Sequence, residues 1–276
     1  MPRCRLRLKL NGVNYHIRAA GQGEAVLLLH GFTGASQNWA KLMADLAADY
    51  RAVAPDLLGH GMTDAPPDPA RCQIEAAAAD LEALLARLEI GKVHLIGYSM
   101  GGRLGLFFAL AYPHRLHSLI LESASPGIED PSEAADRRQS DQALAAWIER
   151  EGIAPFVDYW EALPLFESQK MMNAPERQAL REQRLRNRVD GLASSLRGMG
   201  AGAQPSLWGR LSELSMPVQL IAGAADAKYV AIMQRMQARM RTARLSVVAG
   251  AGHTVHLEQS QDFSALVRAH LSRFRA

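Results

Sequence analysis

Along most of the first 122 residues, short apolar runs alternate with longer stretches in which apolar positions recur every three or four residues. The runs 26–30, 51–55, 93–97 and 116–122 are almost continuously apolar, as strands buried on both faces are, and the amphipathic stretches 36–48, 73–89 and 100–112 between them read as helices. Strand and helix in alternation predict a mostly parallel sheet with helices on both faces. The pattern breaks at Ser123. From there to about Leu211 the strand-like runs vanish and polar helical segments take over, and strands resume at 217–222 and 245–249. This divides the chain into an α/β core of residues 1–122 and 212–276 and an inserted helical lid of residues 123–211.

The start of the chain has a different period. Charged and apolar residues alternate from Pro2 to Leu10, Asn11-Gly12 is a two-residue turn signal, and Val13 to Arg18 returns, which predicts a hairpin at the sheet edge. The same alternation lacks the continuous apolar stretch of a signal peptide, and no segment approaches the roughly 20 apolar residues needed to cross a bilayer. With two cysteines and no export signal, a cytoplasmic location is expected. A hydrophobic content of 48% over 276 residues is enough for a sizeable core. The 31 basic and 28 acidic residues leave a net charge of +3, too mild to argue for nucleic acid or a membrane surface as partner. Cys4 and Cys72 sit in no metal-ligand spacing. His256, three residues after His253, lacks an adjacent carboxylate and a third ligand, so neither a metal nor a cofactor is expected. Nothing in the sequence bears on oligomeric state.

The candidate chemistry begins at Gly97-Tyr98-Ser99-Met100-Gly101-Gly102-Arg103, set between a predicted strand and a predicted helix. Small residues at Gly97 and Gly101 let the backbone take a sharp turn that lifts Ser99 above the sheet, the context of a nucleophile elbow. A serine hydroxyl needs a histidine to take its proton and a carboxylate to orient that histidine. The elbow predicts the chain order serine, acid, histidine, and Asp226 and His253 appear in that order, each in a small-residue loop after an apolar strand. Asp226 also reads as the N-cap of a helix that starts near Tyr229. Upstream, a strand leads into His30-Gly31-Phe32-Thr33-Gly34, the loop that in this architecture supplies one oxyanion-hole amide; the expected donors are the backbone N–H groups of Phe32 and Met100. His60, in Asp56-Leu57-Leu58-Gly59-His60-Gly61, reads as part of a structural turn.

Arg103 falls in the first turn of the helix after the elbow, where the macrodipole disfavours a cation, so something anionic is expected to compensate it. A protein carboxylate and a substrate carboxylate both satisfy that position. In the lid, Arg177, Arg181, Arg184 and Arg188 share one stripe at about 100° per residue and read as a solvated face; Arg186 falls opposite and is expected to face inward if the helix extends that far.

The lid segments Ser125-Pro126-Gly127, Arg137-Arg138-Gln139-Ser140-Asp141, Pro164-Leu165-Phe166, Gly191 to Gly200 and Gln204-Pro205-Ser206-Leu207-Trp208, taken with the elbow heptapeptide, resemble the 2-succinyl-6-hydroxy-2,4-cyclohexadiene-1-carboxylate synthases of menaquinone biosynthesis. The resemblance runs from His30 to His253 and implies an α/β-hydrolase fold. It implies elimination rather than hydrolysis: a small-molecule substrate carrying three carboxylates loses a ring proton beside its succinyl ketone and expels pyruvate, with Ser99, activated by His253, as the base. By the same resemblance Arg103, Arg137 and Arg186 hold carboxylates, and Tyr98 and Trp160 line the pocket. The acid loop Gly223-Ala224-Ala225-Asp226 departs from the family, which more often has Glu after the glycine. A serine hydrolase of an ester, thioester or carbon–carbon bond would use the same triad, whereas a non-catalytic receptor on this fold would not need all three residues.

Overall fold

The structure, a computed structural model, describes residues 4–274, so Pro2 and Arg3 of the expected first strand lie outside the described residues. The elements in chain order are β1 (Cys4–Leu10), β2 (Val13–Ala20), β3 (Glu24–Leu29), α1 (Ala40–Leu46), β4 (Tyr50–Pro55), α2 (Ile74–Arg87), β5 (Val93–Tyr98), α3 (Met100–Ala111) and β6 (Leu116–Glu122). The inserted helices follow: α4 (Pro131–Glu151), α5 (Ile153–Glu161), α6 (Ala174–Leu185) and α7 (Val189–Met199). The chain then returns to the sheet through β7 (Val218–Gly223), α8 (Ala227–Gln237), β8 (Ala243–Val248), α9 (Val255–Glu258) and α10 (Ser260–Arg273). The eight strands run β1-β2-β4-β3-β5-β6-β7-β8 across one sheet, with antiparallel pairing confined to β1·β2 and β2·β4. The edge hairpin turns at Asn11-Gly12, with positive φ at both residues, which suits a type I′ turn.

Apolar residues alternate faces along each central strand. Leu27, Leu29, Leu95, Leu119, Leu121 and Leu220 face α2, α3 and α8, in one cluster with Leu81, Leu104, Phe108 and Met233. Their neighbours Val26, Leu28, Ile96, Ile120 and Ile221 face α1 and α10, against Trp39, Leu46 and Phe263. Both faces are therefore apolar, which is why these strands read as continuous hydrophobic runs rather than as a period of two. Parallel strands put all their C-terminal ends on one edge, so the loops after β3, β5, β7 and β8 converge where open α/β sheets bind ligands.

The lid has its own small core. Ala145 and Ile148 of α4, Phe156 and Val157 of α5, and Leu192, Ala193 and Leu196 of α7 bury one another, with Phe32 of the sheet-edge loop packed against them. Asp130 starts α4 by accepting from the backbone N–H groups of Ser132 and Glu133 ahead of a proline at the first helical position. Lid and core meet backbone to backbone at Gly59 and Gly191. A Cβ on Gly59 would lie 2.4 Å from the Gly191 carbonyl oxygen, and one on Gly191 would lie 2.2 Å from that of Gly59.

Candidate active site

Ser99 sits between β5 and α3 with φ 50° and ψ −111°, a conformation that L-residues rarely adopt. The turn closes because its neighbours have no side chains. A Cβ on Gly97 would stand 2.5 Å from the Gly101 carbonyl oxygen, and one on Gly101 would stand 2.3 Å from that of Leu29. The Ser99 N–H is fixed by donating to the Glu122 carbonyl at 2.8 Å.

The loops after β7 and β8 bring in the other two residues. His253 Nε2 lies 3.1 Å from Ser99 Oγ, and its Nδ1 lies 2.7 Å from Asp226 Oδ2. A carboxylate only accepts, so Nδ1 carries the proton and Nε2 is left with its lone pair toward the serine. The other oxygen of Asp226 accepts from the Tyr229 N–H at 3.2 Å and caps α8. The capping and the histidine-orienting contacts, which the sequence left as alternatives, are both present on one side chain. Tyr229 presents its ring to His253 at 4.5 Å between centroids. The N–H groups of Phe32 and Met100 donate no hydrogen bond to any described residue, and Met100 opens α3, where helix N–H groups have no internal acceptor.

A cavity beside Ser99 and His253 is lined by Phe32, Tyr98, Arg103, Arg137, Trp160 and Lys228 among others. A cavity of about 480 Å³ shares Phe166 with it but contains no member of the serine–histidine–aspartate set. Tyr98 is buried, its hydroxyl 3.0 Å from Thr254 Oγ1, and burial pushes its pKa up. Trp160 packs its ring edge-on against Phe32 at 5.2 Å, and its buried Nε1 has no partner among the described residues. His60 is buried against His30 and Phe32 with Nδ1 on the Leu58 carbonyl; burial pushes its pKa down to about 3. It supports the Phe32 loop and does not line the cavity.

The three arginines separate. Arg103 lines the cavity with no carboxylate hydrogen-bonded to it among the described residues: Nη1 donates to Gln204 Oε1 at 2.9 Å and Nη2 to the Met199 carbonyl at 3.0 Å. Burial first, and the neighbouring Arg137 charge after it, push its pKa down to about 10 against the opposing pull of Tyr229 and Asp141. Arg137 lines the cavity but is paired, Nε to Asp141 Oδ1 at 2.8 Å. Arg186 is not inward-facing. The helix α6 ends at Leu185, one residue before it, so the helical phase that placed it opposite the exposed stripe no longer applies; its side chain is 69% exposed and 3.9 Å from Glu182. The stripe itself needs the opposite correction at Arg184, which is buried against α5, donating to Glu161 and Gln169 at 3.0 Å each. Lys228 and Asp141 are cavity residues that the sequence did not single out. The spacing of Asp141, four residues after Arg137 on a helix, was the available signal. For Lys228, two residues past Asp226, no pattern separates it from other surface lysines.

Residues 24–260 match the family described as alpha/beta hydrolase fold. The chain is 44% identical, over 95% of its length and 96% of the relative's, to the putative 2-succinyl-6-hydroxy-2,4-cyclohexadiene-1-carboxylate synthase of Bacillus subtilis. Among solved structures, MenH from S. aureus superposes with a TM-score of 0.90 at 31% identity, covering 95% of this chain and 99% of that one. A malate-bound thermophilic esterase from Thermogutta terrifontis superposes with a TM-score of 0.87 at 27% identity, covering 99% and 100%.

Proposed function

The chain belongs to the 2-succinyl-6-hydroxy-2,4-cyclohexadiene-1-carboxylate synthase family of the α/β-hydrolase superfamily, and on that premise we propose how its residues carry out the reaction. The reaction is a step of menaquinone biosynthesis. It is a carbon–oxygen elimination that releases pyruvate from 2-succinyl-5-enolpyruvyl-6-hydroxy-3-cyclohexene-1-carboxylate to give 2-succinyl-6-hydroxy-2,4-cyclohexadiene-1-carboxylate.

His253, held in one tautomer by Asp226, accepts the Ser99 proton, and Ser99 Oγ removes the ring proton beside the succinyl ketone. The electron pair moves onto the ketone oxygen as an enolate. The Phe32 and Met100 N–H groups, which have no acceptor among the described residues, face that charge, and preorganised donors of this kind lower such barriers by about 3–4 kcal/mol. Collapse of the enolate forms the 2,3 double bond, shifts the ring's 3,4 double bond to 4,5 and expels the enolpyruvate oxygen; that oxygen takes the proton held by His253, which restores the resting triad, and the released enol ketonises to pyruvate. Tyr98 and Trp160 shape the pocket, and the three carboxylates of the substrate meet Arg103, Arg137 and Lys228.

The observation that carries this reading is Arg103, a largely buried cation beside the triad whose hydrogen-bond partners among the described residues are both neutral. The test is pyruvate release from the enolpyruvyl substrate by the wild type, Ser99→Ala and Arg103→Ala. Release by the wild type, slowed strongly in both variants, supports the assignment; no acceleration over the spontaneous background by the wild type rejects it. A second reading, hydrolysis of a small carboxylate ester, is favoured by the esterase-like overlay and by a serine already within hydrogen-bond distance of its histidine. Turnover of such esters that is indifferent to Arg103→Ala would select it.

A further inference from the structure

Arg103 is held in a way that a stability argument alone does not explain. It is largely buried, lies at the positive end of α3, and has Arg137 as a like-charged neighbour. A guanidinium withdrawn from water at the positive end of a helix ordinarily takes a hydrogen-bonded carboxylate partner, and Asp141 attracts this one only through space. The nearest candidate, Asp141, is committed elsewhere, with Oδ1 on Arg137 and Oδ2 accepting from the Gly202 N–H at 3.3 Å. What Arg103 has instead is the Met199 carbonyl, at the C-terminal end of α7, and the side-chain oxygen of Gln204. Both attract a cation without neutralising it. The carbonyl contributes the partial negative charge of a helix end, and the amide contributes a dipole.

Gln204 is itself buried, and its backbone N–H is tied to the Gly200 carbonyl at 3.2 Å. Its Nε2 has no hydrogen-bond partner among the described residues. Only the acceptor half of the amide is therefore used, and a glutamate of the same shape would keep that contact, break no hydrogen bond, and pair the arginine outright. We propose that Gln204 is a positioning residue that fixes the Arg103 guanidinium with a neutral acceptor, so that its full charge stays available to a substrate carboxylate and the pocket selects for an anionic substituent at that place. This rests on the pyruvate-eliminating function given above.

The decisive variant is Gln204→Glu, with Gln204→Leu beside it. Pyruvate release gives kcat and KM, calorimetric titration with the cyclohexadiene product gives an affinity independent of turnover, and a thermal melt reports the fold. Gln204→Glu is expected to melt at or above the wild-type temperature, to raise KM on the order of 10- to 100-fold, and to weaken product binding by a similar factor with kcat changed less than threefold. Gln204→Leu, which frees the guanidinium without neutralising it, is expected to raise KM by less. A KM and product affinity within twofold of wild type in Gln204→Glu overturns the proposal. So does a loss of melting temperature and kcat in both variants at unchanged KM, the mark of a packing role. If the wild type binds product but releases no pyruvate, the elimination is wrong, and the product affinities of wild type and Gln204→Glu still decide the role of Gln204. A wild type that neither binds nor turns over overturns both.

Discussion

Two residues at the centre of the site are under separate demands, which substitution can pull apart. Ser99 is held at φ 50°, a backbone state that costs on the order of 1–3 kcal/mol for a residue with a Cβ. Ser99→Gly and Ser99→Ala remove the same hydroxyl, so both are expected to be inactive, but the glycine relieves the strain and is expected to melt higher than the alanine. Equal melting temperatures would mean that the elbow stores nothing. Asp226 caps α8 with one oxygen and orients His253 with the other. Asn caps as well as Asp but does not stabilise an imidazolium, so Asp226→Asn is expected to lose on the order of 10⁴-fold in kcat at nearly unchanged urea stability, while Asp226→Ala loses about 1 kcal/mol as well. The serine, histidine and aspartate were legible in the sequence because glycine spacing and chain order are local signals. The exposure of Arg186 was not, because it depends on the residue at which α6 stops, and Asn187 turns away to donate to the Thr33 carbonyl.

At the level of elements, the elbow is a three-way contact of β3, β5 and α3 that leaves no room for a methyl group. Gly101→Ala would force its Cβ against the Leu29 and His30 carbonyls, which are backbone and cannot swing aside. The expected result is a loss of about 1–3 kcal/mol in a denaturant titration, with labelling of Ser99 by a serine-directed phosphonate falling further than the fold does. Labelling at the wild-type rate would show that α3 shifts without disturbing the serine. The strands were read from the sequence to within two residues at most ends, since runs apolar on both faces have few other interpretations. The lid was legible only as helical. The buried residues of α6 are Gln183 and Arg184, both polar, so the polar periodicity that defines an exposed face was a poor guide to which arginine, Arg184 or Arg186, lies inside.

Over the whole molecule the buried histidines set a pH limit on stability. Burial pushes His60 down to about 3 and His94 and His270 down to about 4, from an ordinary value of 6.5. Between those values the unfolded chain binds protons that the folded one refuses, so stability is fully present above about pH 6.5 and falls as the pH drops toward 4. Urea midpoints from pH 7.5 to 5 are expected to decline, and His270→Gln is expected to flatten the decline. Midpoints independent of pH over this range would contradict the burial of these rings as neutral groups.

The glycine pair at the seam between lid and core has a consequence for how the pocket can change. Gly59 and Gly191 touch through their backbones, and neither can accept a side chain without pushing the other away. A single methyl at position 191 must displace either the Gly59 turn or α7, and α7 carries the Met199 carbonyl on which Arg103 rests. The packing of that seam and the placing of the Arg103 guanidinium thus depend on one helix, so a substitution far from the serine at position 191 can move the cation beside it.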